Sequence, residues 1–90
     1  MPVKWPEKDP EEVLDYRLDW TARLAGDSIV TSTWIVPDGI TKGADSVSGG
    51  FTTVWLSGGT IGETLTITNR ITTAGGRTMD QSVRLKIKER

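Results

Sequence analysis

Asp15 and Asp19, four residues apart in the segment LDYRLDW, are the best-placed pair of carboxylates in this chain. Paired carboxylates work on glycosides when they stand roughly 5–10 Å apart and burial raises the pKa of one. Here both fall on the outward phase of an alternating segment, with Arg17 between them and Glu11 and Glu12 just before, which describes a solvated face. The chain contains no His and no Cys. That removes Ser/His/Asp and Cys/His nucleophiles, and with them the commonest general base and metal ligand. An all-oxygen cation site built from Asp38, Asp45 and the acids before Asp15 lacks the D-x-D-x-D-G spacing of a calcium loop. The glycine pairs lack the strand-to-helix setting of a phosphate loop. No catalytic, cofactor-binding or metal-ligating residue is therefore assigned, and the chain is expected not to be an enzyme.

The remaining chemistry is aromatic. Tryptophan is strongly enriched at protein-binding hot spots, and an exposed indole also stacks on sugar rings. Of Trp5, Trp20, Trp34 and Trp55, the second and third fit a core. Trp55 lies on the strand face opposite Val54 and Leu56, so it is a surface candidate. Trp5 stands beside Pro6 in a proline-rich arm. Either it folds back to cap the end of the domain, or it docks into a neighbouring protein. Trp5, Pro6 and Trp55 are the candidate partner-binding residues.

The elements that must carry these residues are short strands. Ninety residues make one domain with a single modest core. Thirteen Thr and ten Gly suit exposed strand faces and turns. Residues 1–12 hold prolines 2, 6 and 10 and should run extended beside the domain rather than within a sheet. Residues 13–90 form the domain proper, so the arm should be dispensable for folding. The run Asp9, Pro10, Glu11, Glu12 resembles a helix start, with at most one turn to follow.

Residues 13–20 then alternate, with Leu14, Tyr16, Leu18 and Trp20 inward. Residues 28–36 form a second strand, apolar on both faces and hence expected to be central or to have its second face covered by the arm. Residues 40–50 suggest two short edge pieces around a mobile loop. Residues 51–56 place Val54 and Leu56 on one face. The longest alternation is residues 62–76, GETLTITNRITTAGG, with Leu65, Ile67 and Ile71 inward. In residues 82–89, Val83, Leu85 and Ile87 point inward, and the outward lysines fit an edge. About seven strands at this spacing read as an immunoglobulin-like antiparallel β-sandwich, with a small barrel as the alternative.

Net charge is −1, so there is no field to draw nucleic acid or an anionic membrane. The charge is uneven, however: residues 1–20 carry six acids and three bases, and residues 77–90 five bases and two acids. Those ends match either each other or another subunit. The first residues lack the apolar core of a signal peptide, and no run is long enough to span a bilayer.

Residues 51–77, FTTVWLSGGTIGETLTITNRITTAGGR, together with KDPEEVLDYRLDW and GDSIVTSTW upstream, resemble small proteins of tailed bacteriophages, the fiber-tail adaptor or Gp77-like family. The resemblance spans residues 8–89. It implies an immunoglobulin-like virion component, made in the host cytoplasm and joined to tail, connector or fiber proteins by docking in multiple copies, without cofactor, nucleic acid or membrane. It carries no catalytic residue. Leu65 stands where many immunoglobulin-like domains place a corner tyrosine, so that tie is missing or differently made. A carbohydrate-binding or adhesive module is the alternative reading, resting on the four Trp.

Overall fold

The computed structural model describes residues 3–89; Pro2 of the arm and Arg90 of the basic end lie outside the described residues. In chain order the elements are β1 (Val3–Lys4), β2 (Leu14–Asp19), the single-turn helix α1 (Thr21–Leu24), β3 (Ile29–Ile35), β4 (Ile40–Ser48), β5 (Phe51–Gly58), β6 (Thr64–Thr73) and β7 (Thr78–Lys86). They form two sheets, ordered β1-β7-β6-β3 and β2-β5-β4, so the fold is a sandwich and not a closed barrel. All pairings are antiparallel except β1 with β7.

β6 is the ten-residue strand that the alternation of residues 62–76 predicts, and it lies between β7 and β3. Leu65, Ile67 and Ile71 are buried against Val54 and Leu56 of β5 and Val83 and Leu85 of β7 in one apolar cluster. Leu14, Tyr16, Leu18 and Trp20 face the same core, Leu14 only partly covered. Alternation puts every second residue of each strand there, which is why a chain this short closes a continuous core.

Four expectations give way. The second strand, β3, is an edge rather than a central strand. Its register slips between Ile29 and Thr31, so Val30 is an extra bulged residue and points outward. Apolar residues on both faces came from that bulge, not from a covered second face. Residues 40–48 form one continuous edge strand, bulged between Lys42 and Asp45, instead of two pieces around a loop. The lysine-bearing β7 is internal, because β1 pairs along its outer side. Finally, the acidic run at residues 9–12 closes a turn without a helix. Asp9 Oδ1 accepts the Glu11 N–H, and the Asp9 N–H donates to Glu12 Oε1. The helical turn comes later at α1, where Asp19 Oδ1 accepts both the Thr21 N–H and its hydroxyl, and Ala25 ends it in the left-handed region at φ 50°.

A polar cluster joins the sheets inside the core. Asn69 shares the inward phase of Ile67 and Ile71 and is fully buried. Its Oδ1 accepts from Trp20 Nε1 at 3.0 Å and from the Thr52 hydroxyl at 2.7 Å. Its Nδ2 donates to the Ser32 hydroxyl and to the Thr33 carbonyl at 2.9 and 3.0 Å. The indole N–H only donates and the carbonyl only accepts, so the amide can sit one way round, with all four of its bonds made. Trp20 follows β2 and Thr52 lies on β5, whereas Ser32 and Thr33 lie on β3. One side chain thus spans both sheets.

A second cluster fixes the end of the sandwich. Asp27 accepts the N–H groups of Ser28 and Gly75 and pairs with the Arg77 guanidinium. Arg77 also donates to the carbonyls of Leu24 and Arg23 that end α1. A Cβ on Gly75 would lie 2.7 Å from Asp27 Oδ2, so only glycine lets the turn approach so closely. The Thr73 side chain, the Ser28 and Gly75 amides and Arg77 together pull the Asp27 carboxyl down from 3.8 to about 2.

The arm is built into the domain. The Trp5 N–H donates to the Arg84 carbonyl, and the Lys8 N–H donates to that of Lys86, so residues 5–8 continue the path of β1 along β7. The Lys8 side chain is buried and its ammonium donates to the carbonyls of Gly58 and Asp9 at 2.7 and 2.8 Å. Burial lowers its pKa, against the opposing pull of the nearby Glu12 and Asp9 carboxylates. The acidic and basic ends lie side by side along β1 and β7. Lys88 Nζ lies 3.9 Å from Glu7 Oε1, and the backbone of residues 5–8 does the rest of the joining.

Four outcomes follow from this packing. Asn69→Leu leaves the Trp20 N–H its second acceptor, the Thr52 hydroxyl at 3.1 Å, but takes away the acceptor of that buried hydroxyl and the donor to Ser32 and Thr33. With each buried orphan costing about 1–3 kcal/mol, urea unfolding should show a loss of roughly 2 kcal/mol or more. Ile67→Ala, on the same face, should cost ~2–5 kcal/mol by cavity formation alone. Trp5→Ala should destabilise by about 3–5 kcal/mol, and removing residues 1–8 by at least as much, reversing the expectation that the arm is dispensable. A truncated chain with wild-type Tm would overturn the placement of Trp5. Asp27 titrates lower in the folded than in the unfolded state. Its stabilising effect is therefore complete above pH 4 and lost as pH falls from about 3.8 to about 2. Asp27→Asn should lower Tm at neutral pH, and the gap to wild type should close across that window in acid.

Candidate functional site

The three candidate residues do not come together. Trp5 lies in the core, 6% exposed, its ring stacked on Tyr16 at 4.6 Å and tilted against Trp34 at 6.0 Å. Both placements follow from its position in the arm: alternation along β1 and beyond turns Trp5 toward the seam where the two sheets meet. Pro6, the next residue, is exposed. Trp20 and Trp34 are buried, at 1% and 6%. Only Trp55 among the tryptophans stands at the surface, 43% exposed. The aromatic surface open to a sugar ring is thus reduced to one indole.

Trp55 owes its exposure to phase. β5 buries Thr52, Val54 and Leu56, so Phe51, Thr53 and Trp55 project from the outer face of the three-stranded sheet. β5 is the middle strand, which puts this indole at the centre of the face. On the β2 side its cross-strand partner is Asp15. Val13, 60% exposed, precedes on the same outward phase. On the β4 side lies Gly43, within the bulge, and a Cβ built there would sit 3.4 Å from Trp55 Cβ. At the other end of the face Phe51 pairs with Asp19, and the Arg17 guanidinium lies 4.6 Å over the Phe51 ring.

Sequence reasoning found Trp55 but passed over its neighbours. Asp15 and Asp19 read correctly as outward, yet nothing local says that each faces an aromatic ring, because that depends on the β2–β5 register. The two carboxylates flank Arg17 in an open sheet face, and no wall encloses them. No group of three or more acids is placed to hold a metal ion among the described residues.

A cleft of about 350 Å³ opens elsewhere, between α1, the turn at residues 26–28 and the glycines at 49 and 50. Its one acid, Asp27, is already committed to two backbone amides and Arg77. No helix among the described residues is long and apolar enough to cross a membrane.

The fold is similar to the solution structure of the PKD domain from the KIAA 1837 protein, with a TM-score of 0.61, 99% of this chain and 82% of that chain covered, and 23% sequence identity. At that identity the likeness speaks for the two-sheet fold alone. No match is found among curated proteins. The sequence profile of the Gp77 family, described as the podophage GP4 fiber-tail adaptor protein gp77, matches residues 8–86. That span takes in β2 through β7, the Asn69 cluster and the whole Trp55 face, and the chain belongs to this phage fiber-tail adaptor family.

Proposed function

We propose that the protein is a non-enzymatic component of the virion that joins fiber to tail, docking onto other virion proteins through the outer face of its three-stranded sheet with Trp55 as the anchor. The observation that carries the reading is family membership across residues 8–86. The face supports it, since a half-exposed indole at its centre, with Val13 and Phe51 on the same face and polar groups between them, is the arrangement of a binding hot spot. Exposed Pro6 offers a second contact from the arm. Trp5 acts within the chain, by holding that arm in place.

On this reading the protein is made in the host cytoplasm, enters the particle in several copies, and uses neither nucleic acid nor membrane. Repetition around the tail multiplies contacts that are individually weak. The tail, the connector and the fiber are the candidate neighbours.

Mass spectrometry of purified particles should detect the protein, and its absence there would end the proposal. Trp55→Ala should leave Tm nearly unchanged, within the ~0.5 kcal/mol typical of surface sites. It should nevertheless lower affinity for the particle by at least about 30-fold, the loss of an anchor worth ~2 kcal/mol.

A further inference from the structure

Phe51 and Trp55 share the outer face of β5, and each has an aspartate directly opposite on β2: Asp19 across from Phe51, Asp15 across from Trp55. Cross-strand partners hold their Cβ atoms about 4.5–5.5 Å apart, so each aspartate stands beside the ring it faces. The first of these pairs is complete. The Arg17 guanidinium lies 4.6 Å over the Phe51 ring. Asp19 is meanwhile anchored by the Thr21 N–H and hydroxyl, which hold its carboxyl below the usual range. The second pair is the same arrangement without its cation. Asp15 is exposed and makes no ion pair or hydrogen bond among the described residues, and no guanidinium or ammonium lies over the Trp55 ring among them.

The space for a cation is present. On the flank away from Asp15, β4 bulges between Lys42 and Asp45. It places Gly43 where a Cβ would lie 3.4 Å from Trp55 Cβ. With no side chain there, nothing from residue 43 covers Trp55, which stays 43% exposed. The nearest lysine on β4, Lys42, is turned to Asp45 at 3.5 Å and to the Gly43 carbonyl at 3.1 Å, and so does not fill the slot.

We infer that Trp55 and Asp15 form a receptor for a basic side chain, an arginine or lysine, presented by the virion protein onto which this face docks. The indole offers its negative π face and the carboxylate a formal charge, and a guanidinium can stack on the first while hydrogen-bonding the second. Tryptophan is the strongest of the aromatic cation binders, which suits the open position better than a phenyl ring. The inference rests on the proposed docking role and names what the partner must carry.

Particles lacking the adaptor are loaded with purified wild type, Asp15→Asn, Trp55→Leu, Trp55→Tyr, Gly43→Val and the Asp15→Asn/Trp55→Leu double variant. Bound copies are counted by mass spectrometry after washing at roughly 0.1 and 1 M NaCl, between which the screening length falls from ~10 to ~3 Å. All the altered positions are exposed or on an edge, and thermal melts confirm that each variant is folded. Asp15→Asn and Trp55→Leu should each reduce binding by about 2- to 30-fold at low salt, and Trp55→Tyr by less. The double variant should lose little beyond the worse single one, because both groups serve one cation. Wild-type binding should weaken with salt more steeply than that of Asp15→Asn. Gly43→Val should bind poorly by occupying the slot.

If wild type fails to load at all, the adaptor reading fails with it. If wild type loads and Asp15→Asn matches it at both salt concentrations, the cation receptor alone is overturned. The same holds if Trp55→Leu binds as wild type does, or if the two single losses simply add.

Discussion

Everything in this sandwich is referred to the side chain of Asn69. Two sheets held only by apolar contact can slide over one another at small cost, since dispersion and burial carry little direction. A buried amide with four hydrogen bonds cannot slide. Its Oδ1 is tied to Trp20 and Thr52 of one sheet and its Nδ2 to Ser32 and Thr33 of the other. Breaking any one of these leaves a desolvated polar group, so the network is satisfied in one relative placement of the sheets. The consequences run outward along the chain. Trp20 ends β2 and opens α1, and its own N–H donates to the Gly50 carbonyl. Fixing its indole therefore fixes the register of β2 on β5 from the inside. That register is what sets Asp15 opposite Trp55 on the outside. The proposed docking face is in this sense the reverse side of the Asn69 network.

What the sequence disclosed was phase, and what it withheld was register and long-range pairing. The inward sets on β2, β5, β6 and β7 could be read from period-two alternation, and so could the exposure of Trp55. Asn69 stood on the same phase as Ile67 and Ile71, and that phase was the available signal, but a polar residue between threonines gives no sign that it is wanted inside. Bulges broke the inference on β3 and β4. Val30 inserts one residue and turns a one-sided strand into what reads as a two-sided one. Between Lys42 and Asp45 the small, polar composition resembles a loop although pairing with β5 resumes beyond it. β7 carried the marks of an edge, and only the parallel pairing of Val3 and Lys4 with it made it internal. Two residues of strand leave no periodicity to read.

The arm shows the same limit in energetic terms. Three prolines argue correctly against a long ladder, yet the decisive groups are one indole and one ammonium. Trp5 adds a large apolar area to a core that is small for want of chain length, and stacks on Tyr16 where the sheets diverge. Lys8 lays its aliphatic stem in the core and spends its charge on two carbonyls. Neither fact follows from local sequence, because Trp5 depends on β2, β3 and β7 coming together and Lys8 on β5 and β7.

The geometry also bears on how such a domain can bind neighbours without aggregating. Strand addition at an edge is the obvious route for a β-sandwich, since an edge presents a row of unpaired backbone groups. Here the edge strands β3 and β4 are each bulged, which twists the backbone away from regular pairing, and the shorter β2 is left as the regular edge of its sheet. The surface that the proposed role uses is instead the outer face of β5, where the indole has Thr53, Phe51 and Val13 on the same face. An uncharged apolar patch in that position would be sticky toward any surface. An indole beside an unpaired carboxylate is selective, because an apolar partner that covers Asp15 must desolvate a charge it cannot compensate. On the proposed role, each copy would then hold its partner by a modest, charge-checked contact, and the strength of attachment would come from the number of copies around the tail. A weak but discriminating site, repeated, tolerates correction during assembly in a way that one strong apolar interface does not.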